Sequence, residues 1–554
     1  MKHILLYSLI FLALPSAIMA QGLVSGKVIS ASGQQPLPGA SVLSRGTKAS
    51  AITKADGSFS LAVQSGGDTL WVSYMGYRNG IIPVQLPLAA PLRIALFENS
   101  NTLDEVQVST GYYELPQERA TGSFTVLDNK TLNRGTGPDL LSRLKGVSNA
   151  ILFDERVDNN RSISVRGLNT IYGDTQPLIV LNNFPYDGDI QSINPNDVES
   201  VTILKDAAAA SIWGVRAANG VLVITTKKGV LSRPAQLSFN STLGIGQKPD
   251  MFYRRAISSS DFIDVEKMLF ANDFYTALET DPAHAPLSPV VELLIAARDG
   301  SISATEAETR INSLRQQDVR TDFDRYLYQN SVKQQYAINL QGGSDKSTYY
   351  YSAGFDRNTG STADRYDRLS LRADHSYQVS SRFRLKPAIS YSLQNNHRGR
   401  PDFSTITSGD TYFLYPYARL ADDSGNPLPV IKNYRSSFTQ QAAGAGLLDL
   451  QYVPLSDYQS RKNNSQGHEL LMSADAGYDL TKAFSAQVLY QYNRSWVETT
   501  ELYGEDSFFT SDMVNRFTQD DGSGTLSFPV PKGGVLDLGS SSFISHTGRG
   551  QSKY

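Results

Sequence analysis

The chain contains no cysteine among its 554 residues. This absence excludes disulfide bonds, zinc sites with Cys ligands, thiol catalysis and a lipid-bearing N-terminal Cys. A dominant charge is also lacking, because 51 Lys and Arg residues nearly balance 54 Asp and Glu residues, for a formal net charge of -3. No strong overall field favours nucleic acid, and we expect no nucleic-acid partner.

Histidine is scarce, with six residues scattered along the chain, and no His-Glu-x-x-His motif is present. No Ser/His/Asp arrangement, paired carboxylates or spacing of metal ligands emerges from the sequence. The sequence therefore predicts no catalytic residue, no metal site and no cofactor, and we expect a protein that is not an enzyme.

Long apolar runs are missing after Ala20, and the mean hydropathy of the chain is -0.29. The one early run, Ile4 to Leu14, is too short to span a bilayer as a helix and follows the basic residue Lys2. A positive start, an apolar middle and a small residue at Ala20 predict a secretory signal peptide over residues 1–20. We expect an exported protein without a membrane-spanning helix.

What the chain has in quantity is tyrosine and phenylalanine, with 29 and 23 residues. Both residue types favour strands, and tyrosine also suits membrane interfaces. Residues 22–97 predict a small β-sandwich, because short alternating runs are separated by closely spaced turns such as Pro36 to Gly39 and Asp56-Gly57.

Residues 22–97 also resemble the carboxypeptidase regulatory-like domain. The resemblance rests on Gly26-Lys27-Val28, Pro38-Gly39-Ala40-Ser41-Val42, Asp56-Gly57-Ser58-Phe59 and Val72-Ser73-Tyr74-Met75-Gly76-Tyr77. It implies a non-catalytic module.

Residues 98–119 read as a linker that is polar at its start. Within it, Val106 and Val108 alternate with polar residues, and this spacing alone predicts an ordinary edge strand. The alternative is a peptide that adds to the sheet of a partner through main-chain hydrogen bonds.

Residues 120–229 predict a mixed α/β domain. Leu140, Leu141 and Leu144 have helical spacing, whereas Leu178 to Leu181, Val198 to Leu204 and Gly220 to Thr226 read as strands. Five segments of this region resemble, in order, the plug of SusC/RagA-type TonB-dependent transporters: Ile163 to Gly167, Pro177 to Leu181, Asn194 to Val201, Leu204 to Ala210 and Gly214 to Gly229.

The resemblance identifies two sets of candidate site residues. The plug motif consists of Val165, Arg166, Gly167, Lys205, Asp206, Gly214, Arg216, Asn219 and Gly220. The segment before the plug resembles the TonB box, which is the peptide that the inner-membrane TonB complex pulls; it consists of Leu103, Asp104, Glu105, Val106, Gln107, Val108 and Ser109. Gln107 and Ser109 differ from the family's commoner Val and Thr, which pairing through the backbone tolerates.

Residues 235–554 alternate apolar and polar residues over long stretches, for example at Tyr349, Tyr351, Ala353 and Phe355. This pattern, after a plug, predicts an antiparallel transmembrane β-barrel. Residues 258–332 interrupt it and predict a helical insert that packs outside the lipid. The predicted fold is thus mainly β, with a small sandwich, a mixed α/β plug and a partial barrel.

The barrel region predicts roughly eight strands, whereas a plugged outer-membrane transporter needs about 22. The last residues, Gly548 to Tyr554, show no apolar alternation and predict a loop. We therefore expect an incomplete barrel, from a truncated reading frame, a fragment or a split gene.

The resemblance implies active import of oligomeric nutrients across the outer membrane. It further implies three partners: the TonB complex, a SusD-like surface lipoprotein and outer-membrane lipid. The implied substrate is a glycan or a peptide, and the sequence leaves both open. Two alternatives also stay open, a surface binding or adhesion protein without transport and a non-functional truncated product.

Overall fold

The structure is a computed structural model that describes residues 21–31, 33–88, 90–98, 107–109, 111, 114–116, 123–154, 162–165, 176–205, 211–409, 412–481 and 483–553. The predicted signal peptide lies outside the described residues. The chain divides into two compact units, residues 1–107 with 116–118 and residues 108–115 with 119–554. Strands dominate the described residues, and the predicted fold class is confirmed.

The first unit is a β-sandwich of two sheets, in the orders β4-β1-β7 and β3-β2-β5-β6. Alternation is strict in β4, where Phe59, Leu61 and Val63 are buried between more exposed neighbours. Residues that alternate along a strand point to opposite faces, so each sheet contributes one apolar face to a shared core. The strands are β1 Gln21–Ser30, β2 Ser41–Ser44, β3 Ser50–Ile52, β4 Ser58–Gln64, β5 Asp68–Ser73, β6 Gly80–Val84 and β7 Leu92–Leu96.

Two short strands, β8 Gln107–Ser109 and β9 Glu114–Pro116, pair with each other in the linker. The plug follows, with a five-stranded sheet in the order β10-β15-β16-β13-β14 and a two-stranded sheet of β11 and β12. Its strands are β10 Phe124–Asp128, β11 Ile151–Asp154, β12 Ser162–Val165, β13 Leu178–Leu181, β14 Phe184–Pro185, β15 Val198–Leu204 and β16 Val221–Thr226.

The helices of the plug are short. Asp139 accepts a hydrogen bond from the Ser142 N–H at 2.8 Å and so begins the helix Leu140–Leu144, whose three leucines are buried. The others are the α-helix Asn129–Leu132 and the 3₁₀ helices Ile190–Ser192, Pro195–Asp197 and Ser211–Ala217.

The remaining strands are β17 Arg233–Gly246, β18 Ser331–Gly343, β19 Ser347–Thr359, β20 Arg365–Gln378, β21 Phe383–His397, β22 Thr407–Ser408, β23 Tyr412–Phe413, β24 Arg461–Asp479, β25 Ser485–Tyr503, β26 Gln519–Asp520, β27 Leu526–Ser527 and β28 Val535–Lys553. Eight of them form one antiparallel sheet, called the large sheet below, in the order β17-β18-β19-β20-β21-β24-β25-β28. This is an incomplete barrel with β17 and β28 at its edges.

The two faces of the large sheet differ in chemistry. Directly paired residues share a face, and one such row carries apolar side chains that are partly or fully exposed: Leu237, Leu340, Tyr351, Ala373, Ile389 and Met472. A row on the other face carries polar residues that lie against the plug: Gln335, Asp356, Arg368 and Gln394. An exposed apolar face on so long a sheet is what contact with lipid requires.

The connections of the large sheet are all short at one end, whereas three of the four at the other end are long and residues 360–364 form a short turn there. Residues 344–346, 379–382 and 480–484 are tight turns, whereas residues 247–330, 398–460 and 504–534 are long connections at the opposite end. The three long connections, which we call the helical cap, bury a common core of apolar residues that includes Ile263, Tyr417, Leu420, Tyr452 and Phe508.

The helical cap contains Ser259–Ala271, Thr276–Glu279, Pro289–Arg298, Ala304–Leu314, Val319–Asp322, the π-helix Phe323–Leu327, Ser436–Gly444, Pro454–Asp457 and Phe508–Phe517, with the short 3₁₀ helices Phe403–Thr405 and Tyr458–Ser460. No helix in the described ranges has the length and apolar character needed to cross a bilayer.

The prediction of a loop at the end of the chain is wrong. Residues 548–553 belong to β28, a strand of 19 residues that pairs with β25 along its whole length. Gly548 lies opposite Tyr490 and Gly550 lies opposite Val488. Glycine has no side chain to mark a strand in the sequence. The strand is therefore specified by its neighbour, because backbone pairing with β25 satisfies its polar groups.

Candidate functional site

The plug has a hydrophobic core of its own. One cluster packs the leucines of the helix Leu140–Leu144 against β15 and β16, and a second cluster packs Val180, Leu204 and Val223 on the other side of the plug sheet. Among the residues that the structure describes, the large sheet contributes Leu471 alone to these two clusters. Apolar burial therefore holds the plug together internally and contributes little to holding it against the sheet.

Polar side chains make the contact between the plug and the large sheet. Arg143 of the plug is 2% exposed and donates to Gln335 Oε1 of β18 at 2.7 Å. It also donates to Asn196 Oδ1 at 3.2 Å and to the Gly137 carbonyl at 3.0 Å. Burial lowers the pKa of Arg143 to about 10, so the guanidinium remains charged at neutral pH.

Arg368 of β20 reaches in the opposite direction, from the sheet to the plug. It is fully buried and donates to Asp356 Oδ2 of β19 at 2.9 Å through Nε. Its terminal nitrogens donate to the Pro138 carbonyl at 2.8 Å and to the Gln191 carbonyl. We call Arg143, Gln335, Asp356 and Arg368 the plug–sheet cluster. A buried ion pair of this kind is costly to break singly, because the remaining charge is left without a partner.

Further polar contacts flank the plug–sheet cluster. The Tyr350 hydroxyl of β19 donates to Asp197 Oδ1 at 2.8 Å, and Gln394 Nε2 of β21 donates to Ser192 Oγ at 2.8 Å. Beside them lies a cavity of about 50 Å³, whose polar lining includes Ser192, Asp197, Arg372 and Glu469. This volume is enough for a few water molecules. The interface between plug and large sheet is therefore polar and has space for water.

The structure describes only the end of the predicted TonB box. Gln107, Val108 and Ser109 form β8, whereas Leu103, Asp104, Glu105 and Val106 lie outside the described residues. The assignment of residues 103–109 as a TonB box stays a prediction.

The residue Gly111, just after this segment, is buried against the plug. Its φ is +83°, and a Cβ at this position would lie 2.7 Å from the Trp213 ring and 2.9 Å from Val180 Cγ1. Both distances are shorter than a van der Waals contact, so only glycine fits. Arg549 of β28 donates to the Gly111 carbonyl at 3.4 Å and to the Asn183 carbonyl at 3.2 Å. The backbone next to the box is thus packed on the second apolar cluster of the plug.

The structure brings two residues of the plug motif together. Gly220 has a φ of +87°, and a Cβ there would lie 2.7 Å from the Cβ of Val165, which is 2% exposed. Gly214 has a φ of +62° at a kink, and Arg216 pairs with Asp187 on the surface of the plug.

The other motif residues lie apart. Asn219 contacts the Gln176 carbonyl at 3.5 Å, and the Lys205 N–H donates to the Ser123 carbonyl at 2.9 Å. Arg166, Gly167 and Asp206 lie outside the described residues. The described motif residues make contacts within the plug and do not converge on one ligand site, and their assignment as a motif stays a prediction.

The sequence analysis missed the plug–sheet cluster. A signal was present, because Arg143 interrupts the apolar face of its helix and Asp356 and Arg368 are charged residues within long alternating strands. Charged residues in such strands point either to water or to a polar interior. Which of them meet the plug depends on register, which a single sequence does not give.

Among the residues that the structure describes, no group of three or more Asp, Glu or His side chains is placed to hold a metal ion.

Comparisons with known proteins agree with this geometry. Residues 24–108 match the CarboxypepD_reg-like domain family, and residues 116–221 match the TonB-dependent Receptor Plug Domain family. The chain is 34% identical over 250 residues to the TonB-dependent receptor SusC of Bacteroides thetaiotaomicron, an alignment that covers 43% of this chain and 24% of that protein. It is 28% identical over 344 residues to a TonB-dependent receptor of Formosa agariphila, covering 62% of this chain and 29% of that one.

A solved structure of the RagAB peptide importer in its open-open state superposes with a TM-score of 0.54 at 19% identity. That superposition covers 72% of this chain and 43% of the importer chain. The chain thus spans about a quarter of the length of the curated relatives and less than half of the solved one. The N-terminal domain, the plug and the large sheet are thus similar to the corresponding parts of SusC/RagA-type TonB-dependent receptors.

Proposed function

We propose that the protein takes part in TonB-dependent import of oligomeric nutrients across the outer membrane, as a non-enzymatic component. The observation that carries this proposal is the polar contact between the plug, which has a hydrophobic core of its own, and the inner face of the large sheet. The inner face is the one that carries Gln335, Asp356 and Arg368. A plug held by apolar burial could leave only by exposing its core to water. A plug held by polar contacts can move and exchange them for water.

The proposed direction of transport follows from the two ends of the large sheet. In outer-membrane barrels the short turns face the periplasm and the long connections face outward. The helical cap then faces the medium, where a substrate arrives. Residues 103–109 precede the plug, and the described part of that segment ends two residues before the buried Gly111. A force applied to the segment by the TonB complex would reach the plug through this anchored backbone.

The proposed substrates are glycan oligomers or peptides, delivered with the help of a SusD-like surface lipoprotein. The support is similarity alone: the SusC match for the receptor type, and the RagAB match, which is titled a peptide importer. The proposed location is the outer membrane, reached through the signal peptide predicted at residues 1–20.

The test is deletion of Leu103 to Ser109 in the native host, in the chromosomal copy of the gene. We expect energised uptake of labelled oligomers to fall to the level of a strain without TonB, while binding of the same oligomers to the cell surface is unchanged. Uptake that survives the deletion contradicts the proposed mechanism. Binding without any TonB-dependent uptake in the unaltered strain supports the alternative of a surface binding protein.

A matched control exploits the backbone nature of strand addition. Replacing Gln107 with Val and Ser109 with Thr changes side chains and keeps every main-chain donor and acceptor, so uptake should persist. Replacing Val106 and Val108 with Pro removes two main-chain donors from a segment of the same length, so uptake should be lost. Equal amounts of each variant in the outer membrane show that the loss is one of coupling.

A further inference from the structure

A second polar site lies in the helical cap, far along the chain from the plug–sheet cluster. A cavity of about 70 Å³ opens where β21 and β24 enter the cap, and its wall includes Arg398, Lys432, Tyr452, Tyr458 and Arg461. Asp457 is the only acidic residue among the described residues that line it. Three cations against one carboxylate make this cavity positively charged.

Lys432 is the unusual member of the wall. Its ammonium lies 3.9 Å from the centre of the Tyr452 ring and 5.2 Å from that of Phe508. Within the part of the chain that the structure describes, no oxygen atom pairs with this ammonium. Burial lowers the pKa of Lys432, with Arg461 acting in the same direction and Asp457 and Asp512 opposing it. Ring faces compensate a desolvated ammonium only in part.

The acidic groups nearby are already engaged. Asp457 Oδ1 accepts a hydrogen bond from the Phe508 N–H at 2.7 Å. Glu501 is shared by two cations, at 3.5 Å from Arg461 and 3.8 Å from Arg398, and both distances are long for an ion pair. Two guanidinium groups and one ammonium therefore line the cavity, against Asp457 in its wall and Glu501 outside it, which leaves room for one more negative charge.

We propose that this cavity, which we call the cap pocket, binds a carboxylate group of an anionic oligomer through Lys432, Arg398 and Arg461. The inference deepens the proposed import function, because it rests on the cap facing an incoming substrate and names the class of that substrate. Guanidinium groups match carboxylate geometry, and the half-buried Tyr458 supplies apolar ring surface for the carbon skeleton beside the carboxylate. Such a carboxylate can belong to a uronic acid or to an acidic amino acid.

The experiment is isothermal titration calorimetry of the full chain, purified in detergent, with two matched pairs of ligands. One pair is a galacturonic acid trimer and a galactose trimer, and the other is a tri-glutamate peptide and a tri-glutamine peptide. We expect at least one acidic ligand to bind at least about tenfold more tightly than its neutral counterpart, since a charge-assisted contact contributes roughly that factor. The acidic ligand that binds shows whether the oligomer is a glycan or a peptide. The proposal is overturned when neither acidic ligand binds better than its neutral partner.

Variants distinguish binding in the cap pocket from nonspecific attraction of acidic ligands to positive charge. Lys432→Met keeps a side chain that packs on Tyr452 and removes the charge, so we expect at least about a tenfold loss of acidic-ligand affinity. Lys432→Arg should retain binding. The matched control is Lys462→Met, because Lys462 is exposed on β24 and points away from its neighbour Arg461. An unchanged affinity in Lys432→Met overturns the proposal.

The outcome is independent of energised uptake, because calorimetry needs no TonB complex. Loss of specific binding with intact TonB-dependent uptake rejects the cap pocket and keeps the import function. Specific binding without TonB-dependent uptake supports the cap pocket and rejects the import function. Arg398→Gln provides a second variant at a side chain that is 57% exposed and therefore tolerant of substitution.

Discussion

The N-terminal sandwich and the large sheet are both antiparallel for the most part and both alternate residue by residue, yet they place their apolar residues on opposite sides. In the sandwich, Phe59, Leu61 and Val63 face a closed core. In the large sheet, Leu237 and Ile338 are exposed, whereas Asp356 and Arg368 are buried. The pattern of a strand is thus the same in both regions, and the surroundings decide which face is inside. The sandwich has the pattern expected in water, and the large sheet has an exposed apolar face, as contact with lipid requires, and a polar face against the plug.

The largest effect is expected at the buried ion pair of the inner face. Arg368→Met should destabilise the contact between plug and large sheet by about 3–5 kcal/mol, because Asp356 is left buried without its partner. The measurement is hydrogen exchange in the helix Leu140–Leu144 of the full chain, which should become faster.

Two controls accompany Arg368→Met. Adding Asp356→Leu should restore most of the protection, because no lone charge remains. Arg365→Met removes an arginine of the same strand that is 43% exposed and pairs with Asp367, and its effect should stay below about 1 kcal/mol. If Arg368→Met and Arg365→Met destabilise the contact equally, the inner face of the large sheet is as accessible to water as the surface.

A smaller effect is expected on the outer face. Ile338→Arg places a charge near the middle of β18 and should lower the free energy of unfolding in lipid vesicles by about 2–4 kcal/mol. Ile81→Arg in the sandwich, at a side chain that is 63% exposed, should change it by no more than about 0.5 kcal/mol. If Ile338→Arg lowers the free energy of unfolding no more than Ile81→Arg does, this face of the large sheet contacts water.

The helical cap is a third region to compare with the sandwich and the large sheet, and it contains a buried acid, Glu266. Burial raises the pKa of Glu266 from its usual 4.5 to about 7, and the Tyr417 hydroxyl donates to it at 2.8 Å. The folded state then binds more protons than the unfolded state between these two values, so stability falls as pH rises from 4.5 to 7. At about 1.4 kcal/mol for each unit of pKa, the total change is at most about 3.5 kcal/mol.

The measurement is hydrogen exchange in the helix Ser259–Ala271 at pH 5 and pH 8, corrected for intrinsic exchange. Protection should be stronger at the lower pH, and Glu266→Gln should remove the difference because the amide does not titrate. The matched control Glu308→Gln changes an exposed acid of the neighbouring helix, whose pKa is lowered by Lys267, and should leave the difference in place. A pH difference that persists in Glu266→Gln would assign it to another group.

Much of the fold could be predicted because its signals are local. The Asp56-Gly57 turn, the leucine spacing around Leu141 and the alternation at Tyr349 and Tyr351 each follow from a few neighbouring residues. The loop predicted for residues 548–554 is a strand over residues 548–553, since glycine-rich strand ends carry no local signal and depend on β25. The plug–sheet cluster was missed because Arg143 and Gln335 are 192 residues apart.

The sequence by itself determined the order of regions, the alternation of the strands and the similarity to SusC/RagA-type receptors, because periodicity and motif spacing are written along the chain. Only the tertiary structure decided which charged residues are buried. Arg368 and Arg365 lie three residues apart in one strand, yet the first reaches the plug and the second reaches water. Alternation puts residues three apart on opposite faces of the strand, and the position of the plug decides which of the two faces is covered.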